Sequence, residues 1–375
     1  MFLMIWVNDF GNLISIPKWL KHALPNEDFL GFSDLIFPWF LYAMGMAIPF
    51  SIENRLKKNE SRFKIFKHII FRSLALIIMG LFHMNMETYN YEYSIIDKPI
   101  FVILSTISFF MIWKKHSGNK LKENFQNNLL PVLGMVIILL LLFLYQGKDY
   151  NNNNIGFSIH WWGILGLIGW VYFFVASIFL FFQRSIMCAA IGLLISLGYN
   201  LVTSNGLSIV LLSWIPSLKL QAFTFSGIIS SLIFARNKNT DDTKVSLKII
   251  IGTSLICFIL GIIVNNFFII SKISETPTWV LLSLSTAFLM HTFLYWLIDL
   301  KGVKSWFSPI KVAGSSTLTC YLVPYLYGSF STLLNFQLPI LLISGFIGLL
   351  KSTIYSFFII QISRYFVKKR IEIKI

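Results

Sequence analysis

Apolar runs of about 17–25 residues, the length an α-helix needs to cross roughly 30 Å of hydrocarbon, follow one another along almost the whole chain with short polar breaks between them. They predict spans at Met1–Ser15, Gly31–Ile52, Phe63–Met84, Ser94–Trp113, Asn128–Tyr145, Ile159–Phe182, Ser185–Val202, Leu220–Ala235, Val245–Ile270, Thr278–Ile298, Val312–Leu333 and Leu338–Tyr365. The runs are continuously apolar, whereas barrel strands alternate lumen-facing and lipid-facing residues over about ten positions. The expected fold class is therefore all-α: a polytopic transmembrane bundle of eleven or twelve helices, forming one domain over residues 1–375. The first span is short. Only seven residues precede Asn8, giving about 10 Å of helix, so this helix is expected either to run on to Ser15 or to have lost its beginning.

The polar breaks carry their own pattern. Every second connection is basic, and these contain twenty-three Lys and Arg residues, from Arg55, Lys57, Lys58, Arg62, Lys64 and Lys67 through Lys114, Lys115, Lys120, Lys122, Arg184, Arg236, Lys238, Lys244, Lys248, Lys301, Lys304 and Lys311 to the tail. The opposite side holds six: Lys18, Lys21, Lys98, Lys148, Lys219 and Lys272. Cytoplasmic loops are the ones enriched in Lys and Arg. Both termini are thus expected in the cytoplasm of a cell whose cytoplasmic (inner) membrane holds the protein, with the Trp19–Pro25 connection on the outer side. A net charge of +15 follows from this topology and from anionic lipid, and predicts no nucleic-acid partner.

Composition adds weight without changing the picture: 56% of the residues are hydrophobic, 17% aromatic and only 13% charged, more apolar surface than a soluble core of this length would bury. Cys188, Cys257 and Cys320 all fall inside predicted spans and are expected to form no disulfide. There is no phosphate-cradling Gly-rich loop before Lys-Ser/Thr, no G-x-S-x-G, no H-E-x-x-H and no C-x-x-C, so no metal is expected.

Chemistry must then come from polar residues at or inside the bilayer, where a central charge costs about 2.5–3.5 kcal/mol on insertion scales. Candidates are Asn8, Asp9, Asp34, Arg72, His83, Asn85, His160, Asn200, Asn265, Asn266, His291 and Asp299. His22, between Trp19 and Pro25, is the sharpest, because an imidazole at the outer face suits general-base work. It could equally be an interfacial histidine among headgroups. Asn8 and Asp9 offer a carboxamide and a carboxylate for orienting an imidazole, or for a helix–helix hydrogen bond. Ser33 and Asp34 sit where a helix start needs capping oxygens. Pro38 and Pro49 predict a kinked or opened second helix. Arg72, on the cytoplasmic half of the third span, suits a phosphate, or a headgroup reached by snorkelling. His83 and Asn85 end the same span at the level of His22, either completing an acceptor site or serving as ordinary interface residues.

Read together, Val7–Asp9 (VND), Lys21–Pro25 (KHALP), Ser33–Phe40 (SDLIFPWF), Arg72-Ser73 with Gly80 and Asn85, Asp299–Gly302 (DLKG) and Ala313–Tyr321 (AGSSTLTCY) resemble the heparan-α-glucosaminide N-acetyltransferase family of multi-pass membrane acyltransferases, in its bacterial branch. That resemblance implies acetyl-CoA or another acyl-CoA arriving from the cytosol and a sugar or glycan acceptor on the far side. It further implies a catalytic His22 and Asn8, with Asp9, Asp34, His83 and Asn85 at the site margin and Arg72 for the coenzyme phosphates. A homodimer is expected on the same likeness. Two other classes remain open: a transporter or flippase without covalent chemistry, and a catalytically silent relative.

Overall fold

The computed structural model describes residues 1–114, 120–149, 151–182, 185–207, 209–237 and 243–375. Lys115, Arg184 and Lys238 of the basic connections lie outside them. The protein is all-α. After a short α1 (Phe2–Asn8), the chain forms α2 (Ser33–Lys57), α3 (Arg62–Glu87), α4 (Lys98–Trp113), α5 (Lys120–Leu144), α6 (Ile164–Phe181), α7 (Ile186–Ser204), the single turn α8 (Val210–Ser213), α9 (Gln221–Asn237), α10 (Thr243–Asn265) and α11 (Pro277–Tyr295). It closes with α12 (Lys311–Ser315), α13 (Thr317–Leu333), α14 (Ile340–Ile343) and α15 (Gly345–Lys368). Among the described residues, seven helices are long and apolar enough to cross a membrane: α2, α3, α6, α7, α10, α11 with its extension to Leu300, and α15.

Four expectations change. The first span is no continuous helix to Ser15: α1 stops at Asn8, and a 3-10 turn over Asp9–Asn12 follows. Gly11 has poor helix propensity, and Ile14 runs as an extended rung, accepting from the Gly345 amide and donating to the Ile343 carbonyl. The eleventh span breaks at Ser316 between α12 and α13, and the twelfth breaks between α14 and α15, where Gly345 takes φ +51°. Conversely, α2 is unbroken through Pro38 and Pro49.

The chain divides into two compact units. The first comprises residues 1–16, 75–166 and 306–375, and the second residues 17–74 and 167–305. In the first unit, α4 packs on α5 and α13, and α15 on α1 and α13, around Ile5, Ala313, Cys320, Val323, Ile359 and Ile360. Asp9 is buried there and ion-paired with Lys351 (2.6 Å), with the Ser352 hydroxyl donating to the same oxygen. Along α5 and α10, large apolar side chains such as Leu139, Leu140, Phe143, Leu255, Ile256 and Ile259 are exposed. A run of this kind marks a surface wetted by lipid tails.

In the second unit α2, α7, α10 and α11 all pack on or beside α9, whose inner face is small and polar: Thr224, Ser226, Ser230 and Ser231 are buried. Small residues let helix backbones approach, and their hydroxyls hydrogen-bond across the gap. Tyr42 of α2 donates to Ser230 Oγ (2.7 Å), Ser230 passes its own proton to the Ser226 carbonyl, and His291 Nδ1 of α11 lies 2.9 Å from the Tyr42 oxygen. One close approach is at Gly227, where an added Cβ would stand 2.1 Å from the Tyr42 carbonyl oxygen. That obstacle is backbone and cannot rotate away. Gly227→Ala should therefore push α9 off α2 at a cost of about 3 kcal/mol, the upper end for overpacking, read as a lower melting temperature of the detergent-solubilised chain.

Candidate functional site

The second unit opens with a hairpin that returns on itself before α2. A 3-10 turn over Lys18–Leu20 leads into His22, and the chain comes back through Gly31 and Phe32. The neck is closed by backbone and side chain together: the Phe32 amide donates to the Trp19 carbonyl (2.7 Å) and the Ser33 hydroxyl to the Leu20 carbonyl (2.5 Å). Gly31 is required at this crossing, because a Cβ there would overlap the Lys21 carbonyl oxygen at 1.8 Å. A local pattern of Gly-Phe-Ser-Asp thus sets His22 over the first turn of α2.

Asp34 then does what a helix cap does not. No side chain caps α2, which corrects the capping expectation for Ser33 and Asp34. The Asp34 carboxylate turns back into the hairpin instead. Its Oδ2 accepts the Ala23 amide (2.9 Å) and the Gly31 amide (3.2 Å), and its Oδ1 lies 2.6 Å from His22 Nδ1. The Asp34 side chain is 2% exposed and that of His22 46%. A carboxylate oxygen can only accept, so Nδ1 carries a hydrogen in this contact, which makes Nε2 the acceptor of the neutral tautomer. A buried carboxylate that orients an accessible imidazole is the arrangement general-base chemistry needs.

A third charged group completes this cluster. Lys272, on the connection between α10 and α11, places Nζ 3.3 Å from His22 Nδ1 and 3.9 Å from Asp34 Oδ1. Its connection is tied to the hairpin: the Ile270 amide donates to Asp28 Oδ1 (2.7 Å) and the Ser271 hydroxyl to the Pro25 carbonyl (3.0 Å). Burial lowers the pKa of the Lys272 ammonium, and Asp34 opposes that shift. Sequence reasoning counted Lys272 only among outward cations. Its one signal was membership of that sparse group of six.

The same connection carries Glu275, whose carboxyl burial pushes up to about 7, with Lys219 pulling the other way. A carboxyl whose pKa is higher folded than unfolded binds its proton more tightly in the native state, so the stability it contributes is present at low pH and lost as pH rises through about 7. The wild type should lose about 3 kcal/mol as pH rises from roughly 4.5 through 7 from this group. Glu275→Gln should flatten that slope in melting temperatures measured across the window.

The other predicted residues are described within their own units. Asn8 is exposed at the end of α1, in the first unit, and beside it Asp9 is held by Lys351 and Ser352. His83 is buried in the first unit, stacked on Tyr325 with centroids 4.1 Å apart, and neither of its ring nitrogens has a hydrogen-bond partner among the described residues. Asn85 spends its amide on structure: Nδ2 donates to the Leu81 and Ser158 carbonyls (both 2.8 Å) and Oδ1 accepts the Ser158 amide (3.0 Å). Arg72, half-buried in the second unit, lies over the Tyr172 ring at 4.9 Å. The structure therefore brings together His22 and Asp34 from the predicted set and adds Lys272. Among the described residues no group of three or more His, Cys, Asp or Glu side chains is arranged to hold a metal ion.

Fold and site define a class: an all-α polytopic membrane protein that carries a carboxylate-oriented histidine on a hairpin leading into a long apolar helix. Within that class the chain belongs to the family described as Domain of unknown function (DUF5009), which it matches over residues 10–235, more than half its length. It is also similar to heparan-alpha-glucosaminide N-acetyltransferase of Homo sapiens, at 37% identity over 84 residues, and to the Mus musculus protein of that name, at 36% over 84 residues. Each alignment covers 22% of this chain and 12% of the relative. The relationship is distant and partial.

Proposed function

We propose that this protein is a membrane acyltransferase that moves an acetyl or similar group from acyl-CoA to an amine or hydroxyl of an amino sugar or glycan. The observation that carries the reading is the 2.6 Å contact between Nδ1 of the half-exposed His22 and the buried Asp34, which makes Nε2 the ring's acceptor in the neutral tautomer. The name of the partial relatives supports the acyl group and the sugar amine as the two reactants.

In this reaction His22 Nε2 takes the proton of the acceptor amine or hydroxyl as its heteroatom attacks the thioester carbonyl carbon. The C–S bond then breaks, and the departing thiolate receives the proton from the imidazolium. Asp34 keeps the ring in the productive tautomer and stabilises the imidazolium formed midway. The alternative in which His22 itself carries the acyl group uses the same two residues. We assign the hairpin to the extracytoplasmic side of the cytoplasmic membrane with both termini inside, on the charge asymmetry of the connections. Exposed Trp19 (60%) and Leu24 (70%) suit an interfacial anchor there. The resemblance implies a catalytic role for Asn8, margin roles for Asp9, His83 and Asn85, and the coenzyme phosphates for Arg72. A homodimer stands on the same footing.

The test is transfer of label from acyl-CoA to a panel of amino sugars and glycan fragments by the full chain in proteoliposomes. Labelled acyl-sugar supports the proposal. Uptake of the sugar without acylated product would make the protein a transporter instead.

A further inference from the structure

Lys272 stands in an awkward place for a simple histidine–aspartate pair. Its ammonium is nearly as close to the imidazole as the carboxylate is, 3.3 Å against 2.6 Å. Because the Nδ1 hydrogen is committed to Asp34, Nζ cannot donate to that nitrogen, and its effect on the ring is that of a charge. Opposite charges within about 4–6 Å favour the ionised form of a titrating group and like charges disfavour it. Asp34 alone would draw a second proton onto His22, and Lys272 acts against it.

We propose that Lys272 is a positioning residue of the His22 site, a fixed cation on the Nδ1 side that works against a second proton on the ring and so favours the form of His22 that can act as base. The inference deepens the reading of His22 as the base of the acyl transfer and rests on it for its purpose. Several features fix the cation there. The Ser271 and Ile270 tethers dock its connection on the hairpin, and the Glu275 amide turns back onto the Lys272 carbonyl (3.1 Å). Its side chain is only 28% exposed, which leaves less water to screen its charge from the ring. The remaining charged groups nearby are balanced or turned away. Lys18 pairs with Glu27 on the hairpin itself, Asp28 accepts the Ile270 amide, Lys21 is exposed on the neighbouring position, and Glu275 answers to Lys219. Opposition between Asp34 and Lys272 also serves the second half of the reaction, since a disfavoured imidazolium gives its proton up readily to the departing thiolate.

The experiment reads His22 directly and needs no turnover. The full chain in lipid nanodiscs is treated with diethyl pyrocarbonate, which modifies neutral imidazole, and the rate at His22 is followed by peptide mass spectrometry from pH 4.5 to 8.5. K272M should move the acid limb of that rate upward by about one pH unit, making His22 about tenfold slower to react on the acid side. K272R should track the wild type, and D34N should move the limb the opposite way. If K272M coincides with the wild type, or K272R behaves like K272M, the proposal is overturned. Should K272M not elute as a folded particle, K272Q takes its place under the same criteria. A wild type that acylates no sugar would remove the proposed function and leave this titration standing, so the two failures are told apart.

Discussion

His22→Ala is expected to lower acyl transfer by about 10²–10⁴-fold, the usual contribution of a positioned general base, while the chain still folds. Folding should survive because the ring is nearly half exposed, and because Asp34 keeps its two backbone amides when the ring is gone. Stopped-time assays with labelled acyl-CoA and saturating amino sugar measure the loss. Activity within a factor of a few of the wild type would mean that the base lies elsewhere. Quenching the wild type in the absence of acceptor adds a second readout: label retained on the His22 peptide would convert the base into a nucleophile without moving the site.

Asp34→Asn should be as damaging for a different reason. Asp34 faces three donors: His22 Nδ1–H on one oxygen and the Ala23 and Gly31 amides on the other. Asparagine has one acceptor oxygen and cannot serve both sides. If that oxygen faces the amides, the NH₂ group meets His22 Nδ1 and forces the hydrogen to Nε2, removing the base. If it faces His22, the NH₂ group opposes two buried amide donors, and each group left unpaired costs about 1–3 kcal/mol. The expected outcome is a drop in transfer comparable with that of His22→Ala, accompanied by a lower melting temperature that the histidine variant does not show. A variant with full activity and unchanged stability would contradict the orientation derived for this carboxylate.

Asp9 and Asp34 illustrate how differently two intramembrane carboxylates can be used. Both are expensive to bury, and from the chain alone both qualify as site candidates. Asp9 is neutralised by Lys351, 342 positions further on, and with Ser352 it holds the first helix to α15. Asp34 accepts from two local amides and from a half-exposed histidine, with the Lys272 ammonium 3.9 Å from its Oδ1. In both, one partner is a lysine that is near in space and remote in sequence.

The apolar runs determined the membrane-spanning class, an apolar segment under each long helix among the described residues, and the presence of a polar hairpin ahead of α2, because lipid demands long apolar helices whatever they pack against. The ends were less well set, α5 beginning at Lys120 rather than Asn128 and α15 at Gly345 rather than Leu338. The local run from Lys18 to Pro25 was enough to single out His22, whereas Asp34 reads locally as a helix cap and only the family resemblance puts it at the site margin. What the chain could not declare was the direction in which Asp34 turns, the breaks at Asn12, Ser316 and Ser344, and the arrival of Lys272. Asp34 turns to local partners, His22 and the Ala23 and Gly31 amides, whereas the breaks and the arrival of Lys272 go with contacts between distant segments: Ile14 with Ile343 and Gly345, Ser316 with Glu372, Ser271 with Pro25. Burial follows from the period of a sequence, because one face of a helix is apolar. The pairing of buried charges follows only from which helices the fold sets side by side.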